Sequence, residues 1–547
     1  MVDIKKYGIE PFGATPNARQ VAHYKLGKKV FFHFGVNTFT NSEWGNGQEV
    51  EDLFAPSELD TDQWLRIAKE AGFKLAILTV KHHDGFCLWP SEYTTHSVKN
   101  SPYKNGKGDV VREFVDSCRK FGLKVGIYIS PWDRHSPHWG KSDYSDYFAN
   151  QLTELMTGYG EIDEVWWDGA GSRDAVYNWD QWESIVRTNQ PNAAIFGSMG
   201  AAGHIDLRWA GNERGYTGMT HYASVELQDI VDEVRSVLNE GQIGASAYVP
   251  SELDVSIRPG WFYHADQDKK VRSVANINKI WFNSVGKNSM MLLSFPPDRR
   301  GLVCDKDAEN AIASCKCIEK MLAVDYADGA KISLASGSAF SVIDEADGEE
   351  TTVYGGRVLD IVLPKPEKIN TFSIGELIEA GERISAFKLE AIENGEVRTL
   401  FEGTSVGFRR AFTFDEGEYK HLRFTVEDCL AEPLLARVGL YYFEDVEDNT
   451  VIERGDNIVK SFEMSNNGQR ADVFFGGIYP FDRVEFSLDR RSAYKVYVFS
   501  GQVYELVSEG ETIGRIGINF PKPFTDSYQI RIEAATTKIT DIIVLWR

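Results

Sequence analysis

The chain has 547 residues; at roughly 150 residues per domain this is too long for one core, and a lone β/α barrel of about 250 residues leaves half of it unexplained. Hydrophobic residues make up 42% and charged residues 26%, a globular mix that excludes wholesale disorder. The 59 Lys and Arg stand against 81 Asp and Glu, a net charge of −22. So acidic a surface repels phosphate backbones and anionic lipid, which argues against nucleic-acid and membrane-surface partners.

No run approaches the 18 or so consecutive apolar residues that cross a bilayer, so no membrane insertion is expected. The start, Met1-Val-Asp-Ile-Lys-Lys-Tyr-Gly, has no apolar leader core; a cytoplasmic chain and a trimmed secreted one both fit it. Six sparse cysteines share no disulfide or zinc framework, and Cys315-Lys-Cys317 falls in a helical context that suits buried or free thiols. Aromatic residues are plentiful, 13 Trp, 23 Tyr and 32 Phe. Most serve as core, but Trp clustered beside carboxylates and histidines suits a sugar, whose rings stack while its hydroxyls seek polar partners.

From residue 15 to about 300, short apolar runs alternate with helical patterns. The runs are Val30-Phe-Phe-His-Phe-Gly, Lys74-Leu-Ala-Ile-Leu-Thr-Val, Lys124-Val-Gly-Ile-Tyr-Ile-Ser, Glu164-Val-Trp-Trp-Asp, Ala194-Ile-Phe-Gly-Ser, a weak one at Ala245-Ser-Ala-Tyr-Val, and Met290-Met-Leu-Leu-Ser-Phe. Between them, Thr61 to Ala71 reads as a helix capped by Asp60 or Thr61 and stopped by Gly72. Asp109 to Gly122 and Asp143 to Gly160 repeat the pattern. Near-continuous apolar strands between helices predict a parallel sheet covered by helices. Seven or so such units without a dinucleotide fingerprint favour an α/β fold of the closed (β/α)8-like kind. After about residue 325, alternating runs such as Phe387-Lys-Leu-Glu-Ala-Ile and Leu422-Arg-Phe-Thr-Val, with turn signals at Gly355-Gly, Asn394-Gly and Glu416-Gly, predict an antiparallel β-sandwich. The acidic stretch Glu444 to Asp448 marks a boundary, and Ala471-Asp-Val-Phe-Phe, Tyr494-Lys-Val-Tyr-Val-Phe and Asp541-Ile-Ile-Val-Leu-Trp predict a second sandwich. The expected domains are 1–324, 325–445 and 446–547.

A parallel barrel carries its active site at the carboxyl ends of its strands, so the polar residues just after each apolar run are the candidates. These are His33; His82 and His83; Asp133-Arg-His; Asp168 after two tryptophans; and the loop Asn212-Glu213-Arg-Gly. Adjacent residues on a strand point to opposite faces, so His82 and His83 share the site only if the strand end twists. Neither His-x-His nor i, i+4 spacing occurs there, which argues against a metal. Asp168, between Val-Trp-Trp and Gly-Ala-Gly, suits a nucleophilic or oxocarbenium-stabilising carboxylate; the competing reading is a helix N-cap. Asp163 and Glu164 precede their strand, at the far end of the barrel. Asn-Glu213-Arg-Gly reads first as a solvated surface loop; the competing reading is that Glu213, on a later loop of the same rim, is the second carboxyl that a glycosidase requires.

Together His33 in Phe-His-Phe-Gly, Glu43-Trp44, Lys-His82-His83-Asp-Gly-Phe, Gly-Ile-Tyr128-Ile-Ser and Trp166-Trp-Asp168-Gly resemble the α-L-fucosidases of glycoside hydrolase family 29. Gly-Asn-Glu213-Arg-Gly and Ile-Arg-Pro-Gly-Trp261-Phe-Tyr-His look like the subgroup selective for α-1,3/1,4-linked fucose, and residues 325–443 look like a discoidin-type sandwich. The resemblance implies a retaining double displacement with Asp168 as nucleophile and Glu213 as acid/base. It also implies that His33, Glu43, Trp44, His82, His83 and Tyr128 hold the sugar, and that Trp166 and Trp261 wall its apolar face. The implied partner is a fucosylated oligosaccharide or glycoconjugate. No cofactor is implied, and a structural Ca²⁺ in a sandwich has no motif to support it. A barrel glycosidase of another sugar and an inactive, fucose-binding lectin-like protein are the competing readings.

Overall fold

Eight short strands close on themselves in the computed structural model, which describes residues 1–172, 175–197, 199–446, 457–475, 479, 481–499, 503–524, 527 and 529–545. They are β1 (Lys28–Phe32), β2 (Leu75–Lys81), β3 (Lys124–Ile129), β4 (Glu164–Trp167), β5 (Ala194–Gly197), β6 (Leu207–Trp209), β7 (Ser251–Ser256) and β8 (Met290–Phe295). Each pairs in parallel with its neighbour in sequence, and β8 returns to β1, with Lys28 opposite Met291. The helices between them form where the sequence places them. Asp60 accepts from Gln63 N at 3.1 Å to open Thr61–Glu70, and Asp109 accepts from Arg112 N at 2.9 Å to open Val110–Phe121, which ends on Gly122 at φ 70°.

Two barrel strands differ from the sequence reading. The weak run at Ala245 to Val249 is no barrel strand: Ala247–Tyr248 pairs antiparallel with Ser224–Val225 in a small ribbon. The seventh strand begins three residues later, and β6 is too short to register as an apolar run. Ser251-Glu-Leu-Asp-Val-Ser escapes notice because Glu252 and Asp254, both buried, interrupt its apolar alternation.

Glu252 belongs to an ionic cluster inside the barrel. Lys29 Nζ donates to Glu164 Oε2 at 2.8 Å and also to Glu252 Oε2, with all three side chains fully buried. Glu252 Oε1 accepts from Trp166 Nε1 at 2.9 Å. Burial and the neighbouring Glu252 charge push the Glu164 carboxyl well up, against the pull of Lys29.

The barrel and the following sandwich, Met1–Ala265 with Ile280–Glu444, form one compact unit. The sandwich strands are β9 (Lys331–Leu334), β10 (Ser338–Ile343), β11 (Glu350–Gly355), β12 (Val358–Glu376), β13 (Ile384–Glu393), β14 (Glu396–Gly403), β15 (Arg410–Cys429) and β16 (Leu434–Tyr441), around a core that includes Phe372, Phe387 and Phe424. Asn394 and Gly395, at φ 52° and 87°, make the predicted hairpin turn. The Glu416-Gly417 signal is not a turn. It lies inside β15, where the partner register jumps from Gly417 to Thr413 across Ile369 and Thr371, so the chain bulges without reversing.

A second compact unit comprises Asp266–Lys279 with Asp445–Arg547. Among the described residues six antiparallel strands, Ser461–Met464, Arg470–Phe474, Phe481–Phe499, Tyr504–Phe524, Gln529–Ala534 and Ile539–Leu545, enclose Val484, Phe486, Val496, Ile532 and Val544. Residues 447 and 448 of the acidic boundary stretch lie outside the described residues. Among the described residues no helix is long and apolar enough to cross a membrane.

Removing the one cation of the barrel's ionic cluster strands two buried acids. Lys29→Met is expected to lower unfolding stability by about 3–5 kcal/mol, read as the urea midpoint, with Glu164→Gln in the same chain restoring part of the loss.

Candidate active site

The carboxyl ends of the strands bring most of the predicted residues together. The β2–β3 register shifts between Thr79 and Lys81, a bulge that re-aims the end of the strand. His82 and His83 follow it with ring centroids 4.0 Å apart, both buried at the barrel mouth. His82 stacks near Tyr128 at 5.6 Å, and His33, just past β1, lies 6.2 Å from both His82 and Tyr128.

Asp168 follows β4 directly. Its Oδ1 accepts from Ala170 N at 2.8 Å and its Oδ2 from Tyr128 OH at 3.0 Å, with His83 Nε2 at 3.7 Å from Oδ2. The helix N-cap reading fails, because the helix that follows starts at Trp179 and is capped by Asn178. Gly171 is required nearby: its φ is 78°, and a Cβ there would stand 2.5 Å from the Trp132 ring. Burial raises the Asp168 pKa, while Ala170 N and Tyr128 OH oppose the rise by holding the carboxylate form.

The imidazoles are neutral. Burial pushes His33 and His82 well down, and His83 falls to about 3 through burial, reinforced by the neighbouring His33 and the Arg134 charge. The Ser130 hydroxyl donates to the Trp132 or Asp168 carbonyl, at 2.9 and 3.1 Å, so His83 Nδ1, 2.7 Å from Ser130 Oγ, must donate to it. His83 Nε2 is then a lone-pair acceptor beside Asp168, placed for a hydroxyl donor. His33 Nδ1 lies 2.7 Å from Ser294 Oγ.

Glu213 stands four residues beyond β6, exposed between Gly211 and Gly215, which take φ 78° and 93°. Its Oε2 accepts from Trp261 Nε1 at 3.1 Å. Trp261, half-buried, faces His33 with centroids 4.9 Å apart. Glu43 joins two loops: Oε2 accepts from Trp261 N at 2.8 Å and Oε1 meets His264 Nε2 at 2.5 Å. Trp44, 45% exposed, sits edge-on to His83 and Trp132 at the rim. Trp166 is placed differently from its companions. It is buried, stacked on Phe196 at 3.6 Å and hydrogen-bonded to Glu252, so it supports Tyr128 from within the barrel core.

Sequence reasoning missed two members. His264 lies within the quoted Trp-Phe-Tyr-His run but carries no separate signal. Asp254 is buried with Oδ1 unpartnered, and burial with the Glu213, Glu252 and Asp168 charges pushes its pKa well up. Among the described residues no group of three or more His, Cys, Asp or Glu is arranged to hold a metal ion.

A closed parallel barrel with a carboxylate at its mouth, a second carboxyl on another rim loop and aromatic walls is the scaffold of a glycoside hydrolase. An α-L-fucosidase family model matches residues 18–314. Alpha-L-fucosidase 1 of Arabidopsis thaliana is 38% identical over 465 residues, covering 79% of this chain and 88% of the relative. A solved glycoside hydrolase 29 family member from an unknown rumen bacterium superposes with a TM-score of 0.76 at 31% identity, over 98% of this chain and 100% of the other. A glycoside hydrolase 29 fucosidase of Ruminococcus gnavus in complex with fucose gives 0.71 at 27% identity, over 80% of this chain and 96% of that one. The chain belongs to the α-L-fucosidase family, glycoside hydrolase family 29, and is an α/β-barrel hydrolase.

Tyr128→Phe removes a hydrogen bond that favours ionised Asp168. The acidic limb of the kcat/KM profile is therefore expected to move to higher pH, with the circular dichroism spectrum unchanged.

Proposed function

We propose that the chain is a retaining exo-α-L-fucosidase that releases terminal fucose α-1,3- or α-1,4-linked in Lewis-type branches of oligosaccharides and glycoconjugates. The observation that carries this reading is Asp168: a carboxylate at the barrel mouth, oriented through both oxygens, with an acceptor imidazole beside it and Glu213 held on another loop by Trp261.

In the first step Asp168 attacks the anomeric carbon. The bond to the glycosidic oxygen breaks as Glu213 gives that oxygen its proton, and a fucosyl ester of Asp168 results. In the second step Glu213 takes a proton from water, whose oxygen bonds to the anomeric carbon as the ester bond breaks. Neutral His33, His82 and His83 receive sugar hydroxyls without placing a cation against the nucleophile, and Trp44 and Trp261 offer apolar faces. Both steps run on carboxylates alone, with no metal or organic cofactor.

Branch selectivity finds support in the Glu213 loop. Asn212 staples it, donating to Ala210 O and Tyr216 O at 3.3 and 3.1 Å and accepting from Arg214 N at 3.0 Å. Glu213 is left at the exposed tip between two left-handed glycines. A galactose next to the fucose would seat this tip, so that remote binding energy assembles the site only on a branched substrate.

Asp168→Asn is expected to lower turnover by several orders of magnitude, because a carboxamide cannot form the ester. The same variant should melt at or above the parent temperature at neutral pH. An acid whose pKa is raised in the folded state loses stability for the fold as pH climbs from its unfolded toward its folded value, and Asn removes that loss. Glu213→Ala should cost roughly 10²–10⁴-fold on natural oligosaccharides and far less on fucosyl fluoride, whose leaving group needs no proton. Equal losses on both substrates would move the acid/base role elsewhere.

For linkage, kcat/KM on a Lewis trisaccharide should far exceed that on its disaccharide lacking galactose and that on an aryl fucoside. Comparable values on all three would refute branch selectivity and leave fucose release standing.

A further inference from the structure

Where the barrel meets the first sandwich, two buried cations face each other with, among the described residues, no acid between them. Lys287, just before β8, and Arg410, which opens β15, form an antiparallel bridge pair, a pairing that sets two side chains on the same side. Each is only 5% exposed. Arg410 Nε and Nη1 are buried without a hydrogen-bond partner, and the aromatic ring over which the guanidinium lies, Phe401, is 6.0 Å away. Lys287 Nζ, with three protons to donate, makes one hydrogen bond, to Asn283 Oδ1 at 2.8 Å.

The charges around the pair do not relieve it. Burial pushes the Lys287 pKa well down and Arg410 adds to the fall. Burial brings Arg410 to about 10, and the group acting against that is the Tyr222 phenol. The remaining basic neighbour, His221, is kept neutral by burial together with Arg208, Lys287 and Arg410. Its Nδ1 lies against Asn239 O and its Nε2 against Ser251 Oγ. Two adjacent buried cations without a counter-charge are unfavourable unless an anion joins them or the ammonium gives up its proton.

We propose that Lys287 and Arg410 bind a small inorganic anion of halide size between them. A halide fits the surroundings: it needs only radial N–H donors, which the ammonium and the guanidinium hold in reserve, and its single negative charge offsets one of the two buried positive charges. The site also reaches the catalytic rim. Asn283, the partner of Lys287, accepts through its carbonyl from Thr217 N at 3.1 Å and Thr217 Oγ1 at 3.0 Å, four residues beyond Glu213.

The test uses the full chain. Its thermal midpoint is followed as sodium chloride replaces sodium gluconate at constant ionic strength, with inorganic phosphate as a third arm, and a crystal soaked in bromide is examined for anomalous scattering. The expected results are a midpoint that climbs with the logarithm of chloride, a bromide peak within reach of Lys287 Nζ and Arg410 Nη1, and loss of both in Arg410→Met. Arg410→Lys, which keeps the charge, should retain part of the chloride response and serves if the Met variant does not fold. Superimposable melting in chloride and gluconate overturns the proposal. So does a response to phosphate alone, or a bromide peak with no chloride-dependent stabilisation, which would mean binding at crystal concentration only.

Discussion

The candidate active site rests on a salt bridge that takes no part in it. Lys29 sits inside the barrel between Glu164 and Glu252, and Glu252 spends its other oxygen on the indole of Trp166. That bond fixes the plane of a large ring, which in turn packs against Phe31, Phe196 and Tyr128. Tyr128 then presents its hydroxyl to Asp168. A charge buried this deeply is costly unless its geometry is saturated, so the cluster tolerates few arrangements, and the residues stacked above it inherit that intolerance as precision.

Above this base the barrel mouth separates charge from polarity. The three imidazoles are kept neutral by burial, whereas Asp168 retains hydrogen bonds that favour its ionised form. A polyhydroxylated ring therefore meets donors and acceptors over most of its surface and negative charge near one atom. That contrast suits a reaction in which positive charge develops at a single carbon.

The barrel was legible in the sequence because its strands are nearly continuous apolar runs and its helices carry Asp caps and Gly stops. β7 was not, because buried acids occupy its inward positions, and polarity reads as surface. For the same reason Asp254 left no trace: a lone Asp between Leu and Val carries no motif. Asp168 and the paired histidines could be read from their place after apolar runs, yet whether both imidazoles face inward depended on a bulge that no local pattern announces. Trp166 and Trp167 look equivalent in sequence, and the pleat of β4 sends them to opposite sides, Trp166 to Tyr128 and Trp167 to the helical Trp179 and Trp182. Glu416-Gly417 misled because a bulge and a turn use the same residues.

The Glu43 carboxylate joins Trp261 and His264, which lie 218 and 221 positions further along the chain. These loops follow β1 and β7, and β8 alone lies between those strands on the way round the closed barrel. Contacts of such long sequence separation form late, after the entropy of closing the intervening chain has been met. On the ribosome, Glu43 emerges long before its partners exist, and a nascent chain halted after β4 would already hold Asp168 while lacking both residues that Glu43 joins. The two loops that Glu43 joins therefore come together only after β7 and the loop that follows it have been made.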